Sequence, residues 1–357
     1  MYSNFSFTNQ QTFFQKLRSI DYLLLICILL VGSISCFAMY STDGGEVLYH
    51  TKNHAIRFAL FFTLMLVISF INIKMWFSLS YLFYGVTLIL LLWASLYGIT
   101  ASGSQRWINL YFINLQPSEL MKIAIIVCFA KYYHRAQIHS INKFTNIFVP
   151  LVILIIPIFL VITQPDLGTS ILIALSGIMV LWLAGINIKY FVIASITFII
   201  SAPFIISFLK PYQKLRILSF FNPDRDPLGA GYQIIQSKIA VGSGGLFGKG
   251  FLKGTQGYLE FLPEKHTDFI FTLYSEEFGF LGSLLLLILY VIIIYRIINI
   301  GMISRSYFSK LFCYGFASSI FIYIAVNMSM VLGLLPIVGS PLPCLLYTSD
   351  AADELSC

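Results

Sequence analysis

The sequence predicts an all-α fold, a polytopic integral membrane protein with nine apolar spans and one large loop between the seventh and the eighth. Three observations carry that prediction. Only 10% of the 357 residues are charged, where a soluble domain carries about 25%. Hydrophobic residues make up 58% of the chain, gathered into runs of ~17–25, the length a helix needs to cross a bilayer. The Lys and Arg residues sit in short segments between those runs. A net charge of +7 is therefore a topology signal, and no nucleic-acid partner is expected.

In chain order, the spans fall near 22–40, 55–73, 77–98, 116–133, 146–163, 168–185, 188–208, 279–298 and 311–335. The polar N-terminal stretch shows no cleavable signal pattern, and the first apolar run follows it directly. The fourth span, "QPSELMKIAIIVCFAKYY", is the least hydrophobic and carries Glu119 and Lys122. With the N-terminus in the cytoplasm, the cytoplasmic segments hold Lys16, Arg18, Lys74, Lys131, Arg135, Lys143, Lys189, Arg296, Arg305 and Lys310 against one acid, Asp21. The reversed topology would destroy that asymmetry. The loop of about 210–267 then lies on the outer face. In it, "FNPDRDPLGAGYQ" is turn-forming, and "YQIIQSKIAVGSGGLFGKG" reads as a short interfacial helix followed by a tight glycine loop. Ordered loops of this length are usually functional. The six cysteines have no metal or disulfide spacing; Cys27, Cys36, Cys128 and Cys313 lie in apolar runs, where packing explains them.

Chemistry is expected where charge meets the membrane. "LEFLPEKHTDFIFTLYSEEFG", 259–279, gathers Glu260, Glu264, Lys265, His266, Asp268, Glu276 and Glu277 where the outer loop re-enters the bilayer. A carboxylate in a half-dry site beside bases stays ionised yet poorly solvated, as a general base requires. The other reading of Asp268 is a snorkelling rim of charge. Lys265, His266 and Arg106 suit phosphate. Glu119 and Lys122 are three residues apart on one helical face, which fits a structural clasp or a polar cavity for a substrate headgroup. Trp107 has the plain reading of an interfacial anchor, and Asp166, in "TQPDLGTS", that of a turn residue or helix cap. No P-loop, dinucleotide fingerprint, HExxH or Ser/His/Asp arrangement is present.

Five segments together resemble one family: "GSQRWINL…LQPSELMKIA", "TQPDLGTSILI", "FNPDRDPLGAGYQIIQSKIAVGSGGLFGKG", "GTQGYLEFLPEKHTDFIFTLYSEEFGFLG" and "GLLPIVGSPLP". They match, in order over about 20–343, the SEDS family of cell-wall polymerases, and its rod-shape (RodA) branch more than its division (FtsW) branch. The resemblance implies a peptidoglycan glycosyltransferase that polymerises lipid II on the outer face of the bacterial inner membrane during elongation. It implies ten spans and an essential aspartate, here Asp268, deprotonating the acceptor sugar. The pyrophosphate would be held by Arg106, Lys265 and His266, with a divalent cation (Mg or Mn) as an option. Trp107, Glu119, Lys122, Asp166 and Glu264 complete the expected substrate site. A class B penicillin-binding protein transpeptidase and other elongation proteins are the implied partners. A lipid II flippase and a non-catalytic scaffold are the competing readings.

One departure stands out. Family members continue after "PLP" into a tenth span, whereas here "CLLYTSDAADELSC", 344–357, is polar, acidic and too short to cross a bilayer. That tail is expected to be a truncation or foreign sequence, with 1–343 as the membrane domain.

Overall fold

The computed structural model describes residues 13–101, 104–109, 114–136, 141–208, 214–215, 218–220, 222, 230–255, 267–337, 339–340 and 342–343. Glu260, Glu264, Lys265, His266, most of 209–229 and the tail 344–357 lie outside the described residues.

Helices dominate: α1 (Phe13–Arg18), α2 (Tyr22–Thr42), α3 (Tyr49–Ser69), α4 (Ile73–Tyr97), α5 (Pro117–Arg135), α6 (Phe144–Thr163), α7 (Leu167–Leu183), α8 (Ile188–Phe208), α9 (Ala230–Ser243), α10 (Ile270–Ile303) and α11 (Tyr307–Val331). Among the described residues, α2, α3, α4, α6, α10 and α11 are long and apolar enough to cross a membrane. The helix α7 and the apolar stretch Ile188–Ser201 of α8 are shorter, and α5 carries Glu119, Lys122, Lys131 and Arg135. Length and composition thus support six spans on their own, fewer than the nine expected from the apolar runs.

The fold is not purely helical. Between α4 and α5 the chain forms β1 (Ile99–Ala101), β2 (Ser104–Asn109) and β3 (Asn114–Leu115), an antiparallel sheet in the order β1-β2-β3. A polar segment pressed against helix ends must pair its backbone groups, and three short strands do so locally.

Side-chain contacts sort the helix ends into two sets. At one end, Lys16 Nζ donates to Phe70 O (2.8 Å), Arg296 pairs with Asp21 (2.7 Å) and Tyr307 OH donates to Ala184 O (3.3 Å). At the other, Ser41 donates to Glu277, Arg106 pairs with Asp166 (3.0 Å), and Asn327 reaches the Asp268 backbone (3.0 Å). This sorting is what helices running alternately up and down produce. Lys131, expected as a loop base, is instead buried on α5. Its Nζ donates to Ser78 O (2.8 Å) and lies over the Tyr81 ring (4.4 Å).

Among the described residues, two large apolar cores fill the bundle, with a small third cluster of Leu172, Ile322 and Tyr323 between α7 and α11. One joins α2, α9, α10 and α11 around Met39, Ile234, Phe269, Tyr274, Leu286 and Tyr290. The other joins α4, α5, α6 and α7 to the start of α11 around Leu91, Ile125, Phe129, Leu154 and Val180. Helix α11 reaches both. At Gly315 an added Cβ would lie 2.7 Å from Val180 and 2.9 Å from Ile126, so the missing side chain sets how near α11 comes to α5 and α7.

Helix α10 is broken near its start. Gly279 holds φ 67°, ψ −161° inside it, a region open essentially to glycine alone. The break disrupts the i→i−4 ladder on both sides, and the glycine-rich stretch after α9 completes it. The Glu276 and Glu277 carbonyls accept from Lys249 N and Gly250 N (both 3.0 Å). Phe280 N and Leu281 N donate to Gly245 O (2.9 Å) and Leu246 O (3.1 Å). The glycine loop expected after an interfacial helix is thus the backbone partner of the break.

Candidate active site

Asp268 lies in the turn just before α10 and is partly exposed, while its neighbours Thr267 and Phe269 are buried. Burial of the flanking residues fixes the chain on both sides of the partly exposed Asp268. Its backbone carbonyl accepts from Asn327 Nδ2 (3.0 Å). Gly339 is near it: an added Cβ would lie in ordinary van der Waals contact with Asp268 Oδ2, at 3.5 Å.

A second polar group stands at the same end of the bundle. Asp166 is the N-cap of α7, where Oδ1 accepts from Thr169 N (3.1 Å), and its Oδ2 holds Arg106 Nη1 (3.0 Å). The plain cap reading is therefore correct, and the same carboxylate also orients the Arg106 guanidinium. Side chains alternate along a strand, so Arg106 and Trp107 leave β2 on opposite faces. Trp107 is 3% exposed, and its backbone pairs with Ile99. An interfacial anchor would show its ring to lipid headgroups, which this one does not.

Lys122 Nζ donates to Glu119 Oε1 (2.6 Å) across one turn of α5. The pair is lopsided: the Lys122 side chain is 3% exposed and that of Glu119 45%. Tyr323 of α11 completes the group, with its ring 4.1 Å from Lys122 Nζ and its hydroxyl 3.3 Å from Glu119 Oε2. The clasp is real, and one of its members opens to solvent. Around these pairs, Arg106 Nε, Ser118 Oγ and Thr169 Oγ1 are buried without a hydrogen-bond partner. Pro117 and Ser118 open α5, and Thr169 lies in the first turn of α7. Helix N-termini beside two cations and orphaned polar atoms suit an anionic, oxygen-rich ligand.

The two glutamates after Asp268 are both buried. Glu276 Oε1 accepts from Lys249 Nζ (2.7 Å), Thr255 N (3.0 Å) and Thr255 Oγ1 (2.9 Å). Glu277 accepts from Ser41 and lines a cavity of about 40 Å³ with Thr42, Gly44, Leu252, Gly254 and Leu273. This cavity sits beside the glycine loop and has neither Asp268 nor Arg106 in its lining. Among the described residues no group of three or more His, Cys, Asp or Glu is placed to hold a metal. Asn327 escaped the sequence reading, although an amide in the apolar run "YIAVNMSMV" was a signal of buried polar work.

Comparison with known proteins covers most of the chain. A family model covering FtsW, RodA and SpoVE, described as "Cell cycle protein", matches residues 15–349. Peptidoglycan glycosyltransferase MrdB of Escherichia coli (strain K12) is 39% identical over 345 residues, 96% of this chain and 92% of the relative. Stage V sporulation protein E of Bacillus subtilis (strain 168) is 34% identical over 343 residues, 93% of each. Among solved structures, a chain from a peptidoglycan synthase complex that coordinates polymerization and crosslinking superposes with a TM-score of 0.79 at 27% identity, covering 93% of each. The rod shape determining protein RodA of Thermus thermophilus shares the fold, with a TM-score of 0.69 at 22% identity, over 93% of this chain and 92% of that one.

Proposed function

The chain belongs to the FtsW/RodA/SpoVE family of cell cycle proteins, and on that premise we propose that it is a peptidoglycan glycosyltransferase that polymerises lipid II during cell elongation. The carrying observation is Asp268, held by its backbone at the edge of the bundle, at the same end as the Arg106–Asp166 and Glu119–Lys122 pairs. In this reading 1–343 is the membrane domain, set in the inner membrane with Asp268 on the outer face.

The transfer needs a base on one side of the reacting carbon and charge stabilisation on the other. Asp268 takes the proton of the acceptor sugar hydroxyl as its oxygen bonds to the donor's anomeric carbon. The bond from that carbon to the lipid-linked pyrophosphate breaks with inversion, and the electron pair leaves on phosphate oxygen. Arg106, aimed by Asp166, is the described cation suited to that oxygen, with Lys265 and His266 assigned to the same task from the sequence. The Glu119–Lys122–Tyr323 group and the first turns of α5 and α7 line the headgroup site, with Glu264 and Trp107 as its sequence-assigned neighbours. The likeness to a chain of a peptidoglycan synthase complex supports a class B penicillin-binding protein as the crosslinking partner. A flippase would want charge continuing through the bundle. On the far side of Tyr323, α7 and α11 meet instead through the buried Ser176–Ser319 hydrogen bond (3.2 Å).

The test is a full-length Asp268→Asn protein purified with its transpeptidase and given lipid II. It should insert normally and make no glycan strands on a gel; polymer at a near-wild-type rate would sink the base assignment.

A further inference from the structure

We propose that Asn327 is a positioning residue for this transfer, acting through Asp268. The inference rests on the reading of Asp268 as the base. Asn327 is fully buried, one turn before the end of α11. Its Nδ2 donates to Asp268 O (3.0 Å) and to Ser340 O (2.6 Å), which uses both amide protons. Neither bond serves α11 itself. Together they tie three segments: α11, the turn that carries the carboxylate, and the stretch after α11 that brings Gly339 against Asp268 Oδ2.

An asparagine that merely satisfied itself would bond wherever a carbonyl lay near. This one grips the peptide of the reacting residue, so the carboxylate turns only about its own side-chain torsions. Tyr323 lies one turn earlier on the same helix, and side chains at i and i+4 share a face about 6 Å apart. Tyr323 contacts Glu119 and Lys122 while Asn327 contacts Asp268. One face of α11 therefore sets the spacing between the base and the charged pair. Near-attack geometry tolerates little error, and a shift of about 1 Å costs on the order of 100-fold in rate.

The experiment measures initial polymerisation rates against lipid II concentration for the full-length protein with its transpeptidase. It compares wild type, Asn327→Leu, Asn327→Gln and Asp268→Asn. Leucine keeps the volume and removes both donors; glutamine keeps the amide and carries it one methylene too far. For Asn327→Leu, kcat should fall by on the order of 100-fold while KM stays within about twofold, and the protein should remain monodisperse. A wild-type kcat, or a raised KM at unchanged kcat, overturns the positioning role. If the leucine variant does not fold, Asn327→Gln decides, and wild-type kcat there overturns the proposal equally. Asp268→Asn separates the two layers: if it polymerises like wild type, the base reading fails by itself, whatever Asn327 does.

Discussion

Lys122 and Glu119 show how unequal the two ends of one ion pair are. Lys122 is buried and Glu119 is nearly half exposed, so the cost of breaking the pair depends on which partner goes. Glu119→Gln strands a buried ammonium over the Tyr323 ring, and an uncompensated buried charge costs about 3 kcal/mol or more. Lys122→Met fills the same volume and leaves a carboxylate that water reaches, so about 1 kcal/mol or less is expected. Thermal unfolding of the purified proteins in detergent should place Glu119→Gln clearly below Lys122→Met, and the reverse order would mean that water reaches the ammonium. At this scale the sequence was legible where charge interrupts the apolar chain. Asp268, Arg106, Asp166, Glu119 and Lys122 stood out because ionisable groups are expensive in an apolar chain. Asn327 did not, because an uncharged amide raises little alarm and its partners, Asp268 and Ser340, lie 59 and 13 residues away.

Among the elements, the broken helix α10 and its glycine partner loop form one unit. Gly279 has positive φ, and an added Cβ would lie 2.3 Å from Gly248 N. Gly279→Ala combines conformational strain of about 1–3 kcal/mol with that clash. The expected result is a loop that no longer docks, seen as rapid protease cleavage between 244 and 255 while the rest of the chain stays protected. Unchanged protease resistance would show that the break does not depend on this glycine. Apolar runs located the helices to within a few residues at most ends, since a run reports burial and length directly. They extended poorly to 270–278, where Tyr274, Ser275, Glu276 and Glu277 form helix despite their polarity because Lys249, Thr255 and Ser41 meet the charge. The three strands after α4 were missed for a related reason: their pairing is a matter of register, which short mixed segments do not announce.

For the whole molecule, the up-and-down order of the helices makes a testable claim about sides. With native cysteines removed, Leu246→Cys, in the glycine loop, should react with a membrane-impermeant thiol reagent on intact cells. Ile303→Cys, at the far end of α10, should react only after permeabilisation; both positions are exposed. The opposite pattern would invert the topology read from the positive residues. Composition made the membrane class legible, and ordered motifs made the family legible. The joining of the two large cores through α11 was not, because α11 has only weak periodicity and only packing shows that it faces both.

The glycine pair at the break has one more consequence, in how this sequence can drift. A Cβ on Gly248 would meet the Glu277 carbonyl oxygen at 2.0 Å, and one on Gly279 would meet the Gly248 amide nitrogen at 2.3 Å. Backbone stands where either side chain would go, Glu277 and Phe278 against Gly248 and residues 246–248 against Gly279, so a change at either glycine collides and a double change collides twice. By this geometry, a sequence that loses either glycine must rebuild the crossing of loop and helix or revert.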